Sequence, residues 1–184
     1  MDFQQLLKTV GKQREKNSGE HIFMQGDMNK SLYFVQSGLL KAYYITEEGK
    51  ESIKSFVVPE NIICSLTSAY SDEKCSFSLL CLEPTIIIEI PFSILYEYSL
   101  KDHQVANKMI EILLEFAMKK EKREYEFLCL SAEERFLKLM EINPTLINTV
   151  TQNDIARYLG VTPVGLSRIK KRNADVVLSV AQEN

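Results

Sequence analysis

The sequence predicts an α+β protein with a β-rich front of the antiparallel barrel or sandwich type, a long central helix and a C-terminal pair of helices. Short apolar segments broken by turn residues fill roughly the first 98 positions. Neither Gly nor Pro interrupts residues 101–128. Two short helical patterns then flank Gly160. The predicted division is therefore 1–100 for the β-rich domain, 101–130 for the helix and 131–184 for the helical domain.

The β-rich front contains six candidate strands, at 21–24, 32–35, 39–45, 52–58, 77–82 and 85–90. Between two of them, the polar turn 47–50 places Gly49 where a positive φ is expected. A short helix is predicted ahead of the strands at 3–11, because its apolar residues repeat on one face.

The long helix carries one apolar seam, formed by Val105, Met109, Ile112, Leu113 and Phe116. The seam could pack only on the β-rich domain, or it could meet a second copy of the chain in a coiled-coil-like pair. A helix of about 28 residues is longer than a small barrel can cover. We therefore expect a homodimer, with Val105, Met109, Ile112 and Phe116 at its interface.

The C-terminal segment has the pattern of a helix-turn-helix. A capping box of Ser131 and Glu134 starts a first helix. Further along, Thr151 is a good N-cap for a short helix that Gly160 ends, and Thr162 is the N-cap of the next one. In such a pair, the second helix enters the DNA major groove.

The second helix of this pair carries the candidate DNA-binding residues. Arg168 is the first candidate for base readout, because its fork matches two acceptors on a guanine edge. Ser167 and Lys170 come next, and the remaining candidates are Lys171, Thr162, Val164 and Thr151. The alternative at this point is a helical hairpin with no role in DNA binding.

Composition narrows the function classes. The net charge of −3 divides into −5 over residues 1–118 and +2 over 119–184, which fits an anionic partner at the C-terminal end. No apolar run approaches a membrane span, and no secretory signal is visible. The two histidines lie far apart and no Cys-x-x-Cys pair occurs, so we expect no metal site, no catalytic residues and no enzyme.

Several segments together resemble the Crp/Fnr family of transcription regulators. They are Gly-Glu-His-Ile-Phe-Met-Gln-Gly-Asp (19–27), Leu-Tyr-Phe-Val-Gln-Ser-Gly (32–38), Ser-Ala-Glu-Glu-Arg-Phe-Leu-Lys-Leu-Met (131–140), Thr-Gln-Asn-Asp-Ile-Ala-Arg-Tyr-Leu-Gly-Val-Thr (151–162) and Thr-Pro-Val-Gly-Leu-Ser-Arg-Ile-Lys-Lys (162–171). The resemblance implies a double-stranded β-helix (a jelly roll like that of cyclic-nucleotide-binding domains), a dimerisation helix and a winged-helix-like DNA-binding domain. We expect the wing of that domain to be truncated in this chain, because Val176-Val177-Leu178 can supply one strand or none.

The chain departs from the cyclic-AMP-responsive members of that family. Cys64-Ser65 stands where they carry Gly-Glu for the ribose, and Cys75-Ser76 stands where they carry Arg-Ser for the phosphate. Cysteine does not replace a bidentate Arg–phosphate contact, so cyclic AMP is not an expected ligand and no cofactor is expected. Two interpretations of this region stay open: a pocket for another effector, formed by Ser65, Cys64, Cys75, Ser76 and Ser68, or loop residues around a filled cavity.

The leading hypothesis is a cytoplasmic, homodimeric regulator that binds a palindromic operator in double-stranded DNA. RNA polymerase and a small-molecule effector are further candidate partners. No membrane association is expected. The alternative is an effector-binding or protein-interaction module with the cyclic-nucleotide-binding fold that does not bind DNA. The iron–sulfur members of the family carry N-terminal cysteines, whereas the first cysteine here is Cys64.

Overall fold

The computed structural model describes residues 2–174, apart from the side chain of Thr145. The strands in this range are β1 (Lys12–Lys16), β2 (His21–Phe23), β3 (Ser31–Ser37), β4 (Leu40–Ile45), β5 (Glu51–Val57), β6 (Ile62–Ile63), β7 (Ser78–Cys81) and β8 (Thr85–Pro91). The helices are α1 (Phe3–Val10), α2 (Leu66–Ser71), α3 (Phe92–Ser99), α4 (His103–Cys129), α5 (Ala132–Ile142), α6 (Pro144–Thr149), α7 (Gln152–Leu159) and α8 (Pro163–Arg172).

The strands form two four-stranded antiparallel sheets, with the orders β1-β8-β3-β6 and β2-β7-β4-β5. This arrangement confirms the predicted jelly roll. Apolar side chains fill the space between the sheets, and Phe23 lies at their centre. Its ring centroid is 5.2 Å from that of Phe77 and 6.1 Å from that of Tyr33. The roll interior around Phe23 is therefore a packed core.

A second apolar cluster covers the other face of the sheet that contains β3 and β8. Successive side chains along a strand point to opposite faces, so Leu32 and Ile90 lie on the side away from the roll interior. Leu6 of α1, Leu95 of α3 and Val105 of α4 pack against them. This cluster attaches the first half of α4 to the roll.

The chain divides into two compact units, 1–117 and 118–184, and α4 contributes to both. In the second unit α5 starts with the predicted capping box, in which the Ser131 hydroxyl accepts from the Glu134 amide at 3.2 Å. α7 ends at Gly160, which has φ 72°, and α8 starts at Pro163. The helix-turn-helix is thus present where the sequence predicts it.

Several elements differ from the prediction. The strands β1 and β6 and the short helices α2 and α3 were not expected. β1 is composed only of charged and polar residues, so it shows no apolar alternation, and it is recognisable only by its pairing with β8. The predicted wing segment 176–178 lies outside the described residues. Among the residues that the structure describes, no helix is long and apolar enough to cross a membrane.

Candidate nucleic-acid interface

Helix α8 presents one buried face and one exposed face. Leu166 and Ile169 are 1% and 5% exposed and hold the helix against its unit. Val164, Arg168 and Lys171 are exposed at helical spacings of four and seven residues, so they lie on one outward stripe. Ser167 is exposed beside them. Backbone spacing alone thus places four of the predicted DNA-binding residues on a single face.

The start of α8 is fixed by its cap. The Thr162 hydroxyl accepts a hydrogen bond from the Gly165 amide at 3.1 Å. Pro163 follows at the first helical position, where its missing N–H costs no hydrogen bond. This bond uses the hydroxyl of Thr162 as an acceptor, and its proton can still be donated to a phosphate oxygen.

Two other predicted DNA-binding residues are held by contacts inside the protein. The Lys170 ammonium donates to the side-chain oxygen of Gln152 at 2.7 Å and so joins α8 to the start of α7. Partial burial lowers the pKa of Lys170. The Thr151 hydroxyl accepts from the Asp154 amide at 3.1 Å and donates to the Asp154 carboxylate at 3.0 Å. Both side chains therefore have a structural role at α7.

Arg172, at the end of α8, is tied to α5. Its guanidinium donates to the Glu133 carboxylate at 2.8 Å, and the Asn173 side chain donates to the same carboxylate at 2.6 Å. These hydrogen bonds hold the pKa of Glu133 below its usual value. The contact fixes the last turn of α8, while Arg168 and Lys171 point outward.

Two arginines, which sequence reasoning did not single out, attach the helix-turn-helix to the end of α4. Arg123 donates to the backbone oxygen of Tyr158, and Arg135 donates to the backbone oxygen of Leu159 at 2.9 Å. The Phe127 ring has the two guanidinium carbons at 4.3 and 4.7 Å from its centroid. We call Arg123, Arg135 and Phe127 the arginine clamp.

Arg135 makes the larger set of contacts within the clamp. It also donates to the backbone oxygen of Leu130 at 2.6 Å, just beyond the last turn of α4. The carbonyls at a helix C-terminus have no partner within the helix, and one guanidinium thus satisfies carbonyls at the ends of both α4 and α7. Arg135 lies within the segment 131–140, which contributes to the resemblance described above. Hydrogen bonds from a cation to distant backbone oxygens, however, cannot be detected from residue spacing.

The predicted effector residues do not line one common pocket. Cys64 packs in the cluster beside α1 and α4, whereas Cys75 lies in the roll interior. Ser68 is buried and accepts a hydrogen bond from the Asn29 amide at 2.8 Å. Ser65 is buried, with its hydroxyl 3.3 Å from that of Thr67. Ser76 is exposed.

The thiol of Cys64 is in an apolar environment, and burial raises its pKa to about 12. Among the residues that the structure describes, no group of three His, Cys, Asp or Glu side chains is placed to hold a metal ion.

The predicted dimer seam on α4 is covered by the chain itself. Val105 is fully buried in the outer cluster, and Met109 and Phe116 pack on the same cluster. Ile112 is 5% exposed. The chain's own core thus buries Val105 and Ile112, while Met109 and Phe116 pack on the same core and keep part of their surface exposed. A different stripe of α4 is exposed and apolar, formed by Ile110, Leu113, Leu114 and Met118.

Comparisons with known proteins identify relatives of both parts of the chain. The family description "Cyclic nucleotide-binding domain" matches residues 13–102. Electron transport regulator A of Shewanella oneidensis is 29% identical over 185 residues, which cover 93% of this chain and 72% of that protein. The fumarate and nitrate reduction regulatory protein of Escherichia coli is 27% identical over 182 residues, with the same two coverages, 93% and 72%.

Solved structures share the fold. FixK2 from Bradyrhizobium japonicum superposes with a TM-score of 0.76 at 20% identity, covering 89% of this chain and 84% of that one. A structure assigned to the Crp/Fnr family from Eubacterium rectale gives a TM-score of 0.70 at 19% identity, covering 91% and 80%. The jelly roll, the long helix and the helix-turn-helix follow one another in this order, and over nearly its whole length the chain is similar to transcription regulators of the Crp/Fnr type.

Proposed function

We propose that the protein is a homodimeric, sequence-specific DNA-binding transcription regulator, and that it acts without catalysing a reaction. The observation that carries the proposal is the outward stripe of α8. Arg168 is exposed there, and among the described residues no hydrogen bond or ion pair engages its guanidinium. A planar guanidinium that projects from a recognition helix matches the two acceptors of a guanine edge in the major groove.

The other residues of the stripe complete the recognition surface. Ser167 and Lys171 offer donors to phosphate oxygens. Val164 is 63% exposed at the start of α8, where its methyl groups can contact a thymine methyl. Thr162 offers a hydroxyl donor at the N-terminus of the same helix. Lys170 and Thr151 support this surface from behind, through their contacts with Gln152 and Asp154.

Genomic binding-site selection with the purified protein tests DNA readout. We expect wild type to enrich a palindrome, and Arg168→Ala to weaken binding to it by about tenfold or more, since one bidentate base contact contributes about 1–3 kcal/mol. Lys120→Ala removes one exposed charge of α4 and is the matched control, expected to stay within about twofold. If wild type enriches no sequence, with or without cell extract, the alternative of a roll-based interaction module without DNA binding is favoured.

Dimerisation is proposed through the exposed apolar stripe of α4, in place of the buried seam. Ile110, Leu114 and Met118 are 55%, 55% and 59% exposed, an unusual exposure for apolar side chains that recur on one helix face. Leu113 borders them. A second copy of the helix would remove this apolar surface from water, as in a coiled coil. Two joined copies would also give a two-fold symmetric pair of α8 helices, which a palindromic operator requires.

Light scattering tests the dimer. Wild type is expected at twice the chain mass of 21.2 kDa. Leu114→Glu places a charge in the stripe and is expected to give monomers, because burying an unpaired carboxylate is unfavourable. Gln104→Glu adds the same charge at an exposed polar position of α4 that precedes the stripe by almost two turns, and it is expected to leave the dimer intact. A wild-type monomer, or a Leu114→Glu dimer of unchanged affinity, would contradict this interface.

We also propose that the roll does not bind cyclic AMP. The position that the phosphate-binding arginine takes in cyclic-AMP-responsive members holds Cys75, which is 2% exposed inside the roll core. The aromatic rings of Phe23 and Phe77 occupy the same core. Calorimetric titration with cyclic AMP is expected to give no saturable heat up to about 1 mM, equivalent to less than about 4 kcal/mol of binding.

We propose a cytoplasmic location, because a transcription regulator has to share a compartment with the chromosome that it binds. RNA polymerase and a small-molecule effector are the proposed further partners. The proposed mechanism is a shift between two arrangements of the dimer, biased by a signal at the roll.

A further inference from the structure

A cleft of about 350 Å³ opens between the two sheets of the roll at the β1 and β2 edge. None of its lining residues belongs to the segment 64–76, which contains the predicted effector residues. Its lining is mixed: Ile22, Ile87 and the ring of Tyr33 are apolar or aromatic, with Ile87 and Tyr33 almost fully buried, and the other four lining residues are polar or charged. The volume is sufficient for a small metabolite.

Two cations of β1 face into this cleft. Arg14 pairs across the sheet with Ile87, a residue of the roll core, and Lys16 pairs with the buried Thr85. Directly paired residues of an antiparallel ladder point to the same face. The inward direction of Arg14 and Lys16 therefore follows from the register, and both line the cleft.

The charged groups that line the cleft are the cations Arg14 and Lys16 and the carboxylate of Glu89. Arg14 donates through Nε to the Glu89 carboxylate at 3.0 Å, and among the described residues its guanidinium makes no other hydrogen bond to the protein. Lys16 lies 3.5 Å from the Glu20 carboxylate. Burial raises the pKa of the Tyr33 hydroxyl, so this group remains a neutral hydrogen-bonding group at physiological pH.

The cleft is also linked to α2. Asn29 lines it and donates from its side chain to the Tyr33 hydroxyl at 2.7 Å. The backbone amide of Asn29 donates to Ser68 of α2 at 2.8 Å. Leu66 of the same helix packs on the apolar cluster that includes Met109 of α4. A ligand that touches Asn29 thus contacts the chain of packed residues that leads to α4.

We propose that this cleft binds a small organic anion, with one carboxylate or phosphate group held by Arg14 and Lys16 and a compact apolar body against Ile22, Ile87 and Tyr33. The proposal deepens the sensor half of the proposed function by naming a ligand class and a site. Ligand binding in the test is measured without DNA, so its failure and the failure of DNA recognition are separate results.

The probes are benzoate and phenyl phosphate, with neutral benzamide as the comparison ligand. Amide chemical shifts of the full chain are recorded during titration with each. We expect saturable shifts at the residues of the cleft for at least one anion, with dissociation constants of about 1 mM. We expect benzamide to bind about tenfold or more weakly, because it offers no charge to the two cations. Whichever anion binds better identifies the headgroup.

Arg14→Gln is expected to weaken binding of the better anion by about tenfold. Lys8→Gln removes the same charge from an exposed position of α1 and is expected to have no effect on binding. Unchanged amide shifts in α3 and α7 show that the Arg14→Gln protein is folded. The proposal is overturned if neither anion gives saturable shifts at the cleft, if benzamide binds equally well, or if Arg14→Gln binds within about twofold of wild type.

Discussion

Replacing Arg135 by Met is expected to loosen the helix-turn-helix from the end of α4. The guanidinium donates to the backbone oxygens of Leu159 and Leu130 at 2.9 and 2.6 Å. Each of these charge-assisted bonds contributes about 1 kcal/mol net at a half-buried site, and the contact with the Phe127 ring adds a similar amount. The variant is therefore expected to lose about 3 kcal/mol of local stability in residues 118–174.

Native-state hydrogen exchange measures this loss of local stability directly. A change of about 3 kcal/mol corresponds to roughly 100-fold faster exchange of the protected amides in α7 and α8. The amides of β8 belong to the other unit and are the internal control. Arg135→Lys keeps the charge but lacks the fork, so we expect it to reach one carbonyl and to lose roughly 2 kcal/mol.

The control variant is Lys122→Met, which removes an exposed cation from α4 and is expected to change exchange by less than about threefold. If Arg135→Met exchanges in α7 and α8 as slowly as Lys122→Met, Arg135 does not hold the helix-turn-helix to α4. If Arg135→Lys is as stable as wild type, charge alone holds the contact and the two-carbonyl geometry of the guanidinium does not contribute.

Three further predictions follow from local chemistry. At pH 8, iodoacetamide is expected to modify the exposed Cys129 and to spare Cys64, whose buried thiol has a pKa raised to about 12; peptide mass mapping before and after unfolding checks this. Thr162→Ala removes the N-cap of α8 and should cost about 1 kcal/mol, measured as roughly fivefold faster exchange of the α8 amides; Thr162→Ser, which keeps the cap, should exchange as wild type. The pKa of the Glu133 carboxyl should lie below its usual 4.5, because Arg172 and Asn173 donate hydrogen bonds to its charged form. The stability that this contact contributes is therefore present above pH 4.5 and is lost as the pH falls through the lowered pKa of the folded state. Carbon-13 NMR titration measures this pKa, which Arg172→Gln should return toward 4.5, and an unchanged value in the variant would show that the contact does not set it.

Much of the fold can be predicted from sequence where local signals agree with tertiary packing. The caps at Ser131, Thr151 and Thr162 occur at the predicted residues. Gly49 and Gly160 have the positive φ that their turn positions indicate. These features depend on a few neighbouring residues, so they can be predicted without knowledge of the tertiary structure.

The assignment of the faces of α4 could not be made in the same way. The helix carries two apolar stripes, one through Val105 and Met109 and one through Ile110 and Leu114. Periodicity singles out only the first stripe, and it does not say which face of the helix the chain's own sheet covers. That depends on Leu32 and Ile90, which lie far away in sequence. The predicted interface was placed on the first stripe, and the structure uses that stripe internally.

The candidate site shows the same limit. The exposure of Ser167 and Arg168 follows from helical spacing, which the sequence contains. The bond from Lys170 to Gln152 and the bonds from Arg135 to backbone oxygens depend on how helices are placed in space. A basic residue on a recognition helix is equally compatible with a phosphate contact and with a contact inside the protein. The sequence prediction therefore placed Lys170 among the DNA contacts, because its hydrogen bond to Gln152 leaves no mark in residue spacing.

The residue type at position 160, in the turn between α7 and α8, is restricted by the space around it as well as by its backbone dihedral angles. A left-handed residue after a helix is usually Gly, with Asn as the common substitute. At Gly160, however, a Cβ atom would lie 2.9 Å from the Phe127 ring. Asn satisfies the dihedral angle but not the space, so a library randomised at this position should return glycine alone while Phe127 is kept. Coupled randomisation of 127 and 160 should open the position to Asn, and the two sites should covary among related chains.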